Sequence, residues 1–269
     1  MTSTSVLDQL KRNKIHDLLE KGERFDGRRL DEPRPLTIET GIIPKADGSA
    51  RVRLGDTEIV TGVKIQPDKP FPDMGEKGIF ICTAEILPLA HPTAEPGPPG
   101  EDVIELARVV DRGIRESGMI DLSQLVLQKD KSVIGIFADN SVTDHDGNLF
   151  DACAYASTAA ILSCKIPKWE MKDDIPTLVE GQKSSPPITT IPVSVTMARI
   201  GDHILVDPSA DEWACMDARI TITTNSNGSI CALQKGGDDG FTIEQIFKCS
   251  ELAISIGAKI RKQIEQARG

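Results

Sequence analysis

A chain of 269 residues, 39% hydrophobic and 27% charged, forms one large or two modest globular domains and can bury a real core. Its net charge of −10 excludes nucleic-acid binding through an overall basic field, so any such contact has to come from a local patch or from a partner. One tyrosine and two tryptophans leave little material for base stacking, no apolar run is long enough to cross a bilayer, and the polar N-terminal stretch has no signal-peptide core.

In chain order, "SVLDQLKRNKIHDLLEKG" predicts an amphipathic helix closed by Gly22, and "RFDGRRLDEPRPL" a charged, extended lead-in. "GSARVRLGDTEIVTGVKIQP" alternates around Gly55-Asp56, a hairpin signal, and "FPDMGEKGIFICTAEILPLA" adds at least one strand. Five prolines in the fourteen residues of "PLAHPTAEPGPPGE" force a loop. A helix is expected over 102–116, strands over 123–129 and 132–140, and an alanine-rich helix over 151–165. "IPVSVTMARIGDHILVDP" and "DARITITTNSNGSICALQKGG" predict hairpins around Gly201-Asp202 and Asn227-Gly228. The last helix opens with a capping box, Thr242 with Gln245, and carries Ile246, Cys249, Ala253, Ile256, Ile260 and Ile264 as one apolar stripe.

Strands followed by helices, twice, predict an α+β fold of two similar βα halves. The expected layout is an N-terminal helix (1–23), a first half (24–166), a connector (167–190), and a second half ending in the long helix (191–269). The scattered cysteines Cys82, Cys153, Cys164, Cys215, Cys231 and Cys249 contain no CxxC pair. They are expected to be reduced, mostly buried thiols of a cytoplasmic protein, with no disulfide framework, metal site or cofactor.

Two local features carry the functional reading. "DHDGNLFDACAYAS" sets glycine and a helix N-terminus together, a natural seat for an anion. Yet Phe150 cannot pair with a phosphate oxygen, and Asp144, Asp146 and Asp151 are expected to repel a divalent anion. Leu149 and Phe150 are expected to pack beneath the helix. The aspartates around His145 are turn formers rather than a metal cluster. In the helix over 102–116, Val103, Leu106, Ala107, Val110 and Ile114 share one face. Arg108, Arg112 and Arg115 stand at i, i+4 and i+7 on the other. That stripe is either a phosphate-contacting line, a solvated face neutralised by Glu105 and Asp111, or a source of salt bridges to a neighbouring subunit. Arg51 and Arg53 are weaker candidates of the same kind.

"DGRRLDEPRPL", "GSARVRLGDTEIV" and the segment from Asp211 to Asp217 before "ARITIT" together resemble the RNase PH family of phosphorolytic exoribonucleases, from about Arg24 to the final helix. "DGNLFDA" and "VDPSADEWACMDARITIT" are most similar to the catalytically silent ring subunit of the archaeal exosome. The resemblance implies the RNase PH-like (ribosomal protein S5 domain 2-like) fold. It also implies a heterohexameric ring shared with an active RNase PH-like paralogue, with RNA-binding cap proteins and with single-stranded RNA as the ligand. Active members place a Gly-Gly-Thr-Arg loop at this point to hold inorganic phosphate. Here Asp146 and Gly147 match its start, while Asn148, Leu149 and Phe150 replace the second glycine, the threonine and the arginine. Loss of a bidentate arginine removes a contact worth on the order of a few kcal/mol.

The resemblance also assigns Asp211 and Asp217 to the positions of two aspartates that active relatives use near the scissile phosphate. The alternative is structural: Asp211 in the loop after Pro208, Asp217 capping the next strand. Arg108, Arg112 and Arg115 fall on positions that meet RNA phosphate in the family. The reading favoured is a silent ring subunit that contributes to RNA binding. The alternatives are a 3′→5′ exoribonuclease in its own right, using Asp211 and Asp217, and an assembly subunit without RNA contact.

Overall fold

The computed structural model describes the backbone of residues 6–268 and the side chains of residues 9–268. Helix α1 (Val6–Leu19) is followed by Gly22, whose backbone is left-handed at φ +73°. Strands β1 (Leu36–Thr40), β2 (Gly48–Leu54) and β3 (Thr57–Asp68) form a meander in which Leu54 faces Thr57 across the expected Gly55-Asp56 turn. Gly55 has φ +60°, and a Cβ there would lie 2.5 Å from the Arg34 side chain, so the turn requires glycine.

Strand β4 (Ile79–Ile86) leads through the proline-rich loop into α2 (Glu101–Ser117), which ends at a left-handed Gly118. The strand expected over 123–129 is split. Leu122–Leu125 form a 3₁₀ turn, because the Asp121 carboxylate accepts from the Ser123 amide at 3.2 Å, and only β5 (Val126–Gln128) pairs. Strand β6 (Ser132–Asp144) is longer than expected. It lies antiparallel to β3 and parallel to β4, giving the order β1-β2-β3-β6-β4.

Helix α3 (Leu149–Ser163) starts two residues before Asp151, and every residue from Leu149 to Leu162 is buried. A helix apolar on all sides belongs inside a core. Its alanines let it lie close to β2 and β3 of the first sheet and to the second sheet beyond. Residues 167–190, expected as a connector, carry a hairpin of β7 (Ile166–Lys172) and β8 (Ile175–Ser184). Its two-residue turn, Asp173-Asp174, has φ of +50° and +62°, which aspartate tolerates and which matches the twist of a hairpin.

The second sheet is antiparallel, in the order β10-β9-β11-β12, from β9 (Val193–Ile200), β10 (His203–Val206), β11 (Ala218–Thr224) and β12 (Ile230–Gly236). Both predicted hairpins are present. A short helix, α4 (Ala210–Cys215), sits between β10 and β11. The last helix, α5 (Ile243–Gln266), packs on β9 and β11. Its capping box closes with Gln245 N–H donating to Thr242 Oγ1 (3.2 Å) and Thr242 N–H donating to Gln245 Oε1 (2.9 Å). Its stripe is buried from Cys249 onward, but Ile246 is 37% exposed, because the first turn carries Ile243, Ile246 and Phe247 into solvent. Ile15 and Leu19 of α1 form a small separate core with Ile200, Leu205 and Cys215. The fold is α+β, with two main sheets packed about α3. Among the described residues no helix is long and apolar enough to cross a membrane.

Candidate functional site

The loop before α3 is held from beneath by one arginine. Arg34 donates to both Asp207 carboxylate oxygens, Nε to Oδ2 at 2.9 Å and Nη2 to Oδ1 at 2.8 Å. Its Nη1 donates to the Asp146 carbonyl at 2.5 Å and to Asp146 Oδ2 at 3.2 Å. Burial alone would raise the Asp207 pKa, but the Arg34 hydrogen bonds and charge outweigh it and hold the carboxyl below its ordinary range. Gly147 is tied in as well: its carbonyl accepts from Thr57 Oγ1 at 2.8 Å. Its φ is +85°, and a Cβ would meet Ser209 backbone at 2.5 Å. Asn148, left-handed at φ +44°, donates its amide hydrogens to Asp151 Oδ2 (2.8 Å) and Asp207 Oδ1 (2.7 Å).

These bonds correct the electrostatic expectation for the loop. Asp146 is paired with Arg34. Asp151 turns inward, accepting from the Thr196 amide (2.9 Å) and Thr196 Oγ1 (2.8 Å). Burial pushes its pKa up to about 7 despite those donors. Of the three aspartates only Asp144 is exposed. Repulsion of an anion therefore does not come from a cluster of three.

The stronger obstacle is aromatic. Phe150 is buried and stacks on Trp213, with centroids 5.8 Å apart and planes 21° from parallel. The Arg219 guanidinium carbon lies 4.2 Å from the Phe150 centroid and 5.4 Å from that of Trp213. Glu105 fixes the guanidinium from α2, with Nη2 to Oε2 at 2.5 Å. Leu149 and Phe150 thus pack as expected. Arg219 and Trp213 were not singled out from the sequence, and Glu105 was expected only as a partner of the arginine stripe on α2. The available signal was a lone arginine in a strand, "ARITITT", that is buried at every position.

Asp211 and Asp217 lie under α1. Asp211, in the first turn of α4, meets Lys11 Nζ at 2.7 Å. Asp217, just before β11, accepts from the Gly201 amide at 2.7 Å and meets Arg12 at 3.2 Å and Arg199 at 3.8 Å. Beside them Arg24 forms a bidentate pair with Glu212, at 2.8 and 2.5 Å, which also closes the capping box of α4. Among the described residues no group of three or more histidine, cysteine or carboxylate side chains is placed to hold a metal ion.

Arg108, Arg112 and Arg115 line one groove of about 620 Å³, together with Ile81, Ile104 and Gln234. They differ in freedom. Arg112 donates to the Leu233 carbonyl on the edge strand β12. Arg115 pairs with Asp111 at 3.2 Å and Glu116 at 3.6 Å. Asp111 also accepts from the Cys82 amide of β4, and burial raises its pKa. Arg108 is exposed and has no ion pair among the described residues. Glu105, expected beside Arg108, is taken by Arg219. Arg51 pairs with Glu39 at 3.3 Å and lies 3.9 Å from Glu58, which Arg53 also grips, so this hairpin is a neutralised face.

Two sheets thus pack around a buried helix, with a glycine loop at its N-terminus and two aspartates before β11. Residues 32–167 match domain 1 and residues 190–256 domain 2 of the 3′ exoribonuclease family, RNase PH. This chain belongs to that family. It is 43% identical over 270 residues to exosome complex component Rrp42 of Thermococcus gammatolerans, covering 100% of this chain and 99% of that protein. To Rrp42 of Methanocella arvoryzae it is 44% identical over 265 residues, covering 98% of each. A chain of the Archaeoglobus fulgidus exosome with RNA bound to the active site superimposes with a TM-score of 0.89 at 43% identity, over 96% of this chain and 99% of that one. A chain of an archaeal exosome core gives 0.85 at 39%, over 97% and 98%.

Proposed function

We propose that this chain is a catalytically silent ring subunit of an archaeal-type exosome, assembling with an active RNase PH-like paralogue and contributing to RNA binding. The carrying observation is Phe150. It stands where active relatives place the phosphate-binding arginine, and it is buried against Trp213 beneath Arg219. A phosphate oxygen finds no bidentate donor there. Asp211 and Asp217 are engaged by Lys11, Arg12 and the Gly201 amide, which weighs against the chain acting as an exoribonuclease alone. The paralogue would use inorganic phosphate and release nucleoside diphosphates, and cap proteins would feed RNA to the ring.

Arg108, Arg112 and Arg115 are the groups through which this chain would hold the RNA backbone. Arg108 is the freest of the three. The similarity to a chain of an RNA-bound exosome supports that reading.

The test is an exoribonuclease assay with phosphate and magnesium on the chain alone, the paralogue alone and the two co-purified. The chain alone should release no nucleoside diphosphate above background, and native mass spectrometry should show a hetero-oligomer with the paralogue. Turnover by the chain alone, abolished by Asp217→Ala, would overturn the proposal.

A further inference from the structure

The first sheet has one open edge. Strand β4 ends the strand order and pairs only with β6. Along a strand, successive peptide groups point to alternate sides. Two bonds fix which side is which. The Leu87 amide donates to the Val142 carbonyl of β6, and the Thr83 carbonyl accepts from the Asn140 side chain of β6 at 2.9 Å. The odd-numbered residues therefore serve the ladder, and the N–H and C=O groups of Ala84 and Ile86 point away from the sheet. Among the described residues, nothing hydrogen-bonds to those outward groups.

A cleft of about 580 Å³ runs along this stretch of β4 and touches Thr83, Ala84, Glu85 and Ile86 in succession. One face of a strand presents only alternate residues, so a cleft that meets four in a row follows the edge. Its opposite wall is the proline-rich loop up to Gly100. Pro96, Pro98 and Pro99 have no N–H to donate, so that loop does not pair with β4 and close the edge. An unpaired edge is a template for one more strand, and lysine or proline on the edge strand is a common way to blunt it. Strand β4 contains neither.

Charge decides what lies there. Glu85 and Glu95, both exposed, line the cleft, and no lysine or arginine does. Burial, His91 and Arg34 hold His145 below the ordinary imidazole range, so it adds no positive charge at pH 7. The cationic groove of Arg108, Arg112 and Arg115 is a separate one, beside Ile81 and Cys82. An RNA backbone is drawn to that groove and repelled from this cleft. We propose that the cleft takes an extended, basic segment of a neighbouring protein subunit. The segment adds to β4 as an edge strand, bonds to the peptide groups of Ala84 and Ile86, and sets a lysine or arginine against Glu85. The proposal rests on the ring-subunit reading only for the identity of the neighbour.

The probe is a fluorescein-tagged, amidated peptide of alternating lysine and valine, Lys-Val-Lys-Val-Lys, titrated with the full chain and followed by polarisation. It should bind saturably below millimolar concentration. The same peptide with every backbone N–H methylated keeps its charge but cannot pair as a strand, and should bind at least roughly tenfold more weakly. Ala84→Pro removes an outward N–H and no ladder bond. That variant and, separately, Glu85→Lys should each weaken peptide binding at least roughly tenfold with the melting transition retained. In the hetero-oligomer with the paralogue, hydrogen exchange over residues 83–87 should be slower than in the free chain, and Ala84→Pro should weaken assembly. Failure of any hetero-oligomer to form counts against the ring reading and leaves the peptide result standing. Four results overturn the proposal: no saturable peptide binding up to millimolar concentration, equal binding of the methylated peptide, slowed exchange over 83–87 with oligoadenylate in place of the peptide, or a hetero-oligomer in which that exchange is unchanged.

Discussion

Arg219 and Phe150 occupy one another: the guanidinium carbon sits 4.2 Å from the ring centroid, and Glu105 holds it there. A cation is present near the phosphate seat, yet it is spent on an aromatic face and a carboxylate. On the proposed reading of a silent subunit, placing an arginine at position 150 alone does not bring catalysis. Phe150→Arg should leave the chain without phosphorolytic turnover and should lower its stability. The new charge is buried next to an existing one of the same sign. Phe150→Ala should cost about 3–5 kcal/mol through the cavity it leaves. Urea unfolding of both variants, with the activity assay on the same samples, checks this. Turnover with an unchanged melting temperature would show the seat to be intact.

Asp151 and Asp207 predict opposite contributions to stability against pH. The folded pKa of Asp151 is raised to about 7, above its unfolded value, so the folded state binds the extra proton between about pH 4 and 7. Its contribution falls as pH rises through that window and is flat above it. Asp207 is depressed below its unfolded value, so its contribution is present above about pH 4 and is lost as pH falls through the folded pKa. Denaturant unfolding from pH 4 to 8 should show the Asp151 slope in the parent chain and lose it in Asp151→Asn. An identical slope in the variant would remove Asp151 as its source.

The arginine stripe predicts a salt effect. In the assembled complex, Arg108→Ala and Arg115→Ala should weaken single-stranded RNA binding without regard to sequence. Each lost phosphate contact should flatten the log–log salt slope by about 0.7. Arg112→Ala should add a structural effect, because it releases the Leu233 carbonyl on β12. RNA affinity across a salt series, with assembly checked by size-exclusion chromatography, separates the outcomes. Unchanged slopes in an intact ring would leave the stripe as a solvated face, and loss of the ring would assign it to a subunit contact.

The two aspartates should behave unequally. Asp211 is 42% exposed and paired with one lysine, so Asp211→Ala should change stability by no more than about 0.5 kcal/mol. Asp217 is mostly buried and holds the Gly201 amide, so Asp217→Ala should cost about 1–2 kcal/mol. Thermal unfolding of each variant measures this, and equal effects would contradict the assignment. Neither substitution should slow RNA degradation by the complex with the paralogue.

What the sequence by itself determined is local. Hairpins at Gly55-Asp56, Gly201-Asp202 and Asn227-Gly228, the Thr242–Gln245 box and the buried faces of α2 and α5 all depend on residues within a turn or a few rungs of one another. Period and turn chemistry report such neighbours directly. The packing of Leu149 and Phe150 at the start of α3 was legible for the same reason, since one loop carries them. Where local signals competed, the structure departs from the pattern of the sequence. Asp121 capped a 3₁₀ turn inside an expected strand, and Asp173-Asp174 turned an expected connector into a hairpin.

Only the tertiary structure decided which charges meet. Arg34 reaches Asp207 across 173 positions, Arg219 reaches Glu105 across 114, and Arg12 reaches Asp217 across 205. Asp151 faces Thr196 rather than solvent, and Glu105 turns from Arg108 to Arg219. A side chain's spacing shows which face it shares, but its partner and protonation follow from what other elements bring within about 4 Å in low-dielectric surroundings. That juxtaposition is a property of the packed sheets and α3, and no window of the sequence contains it.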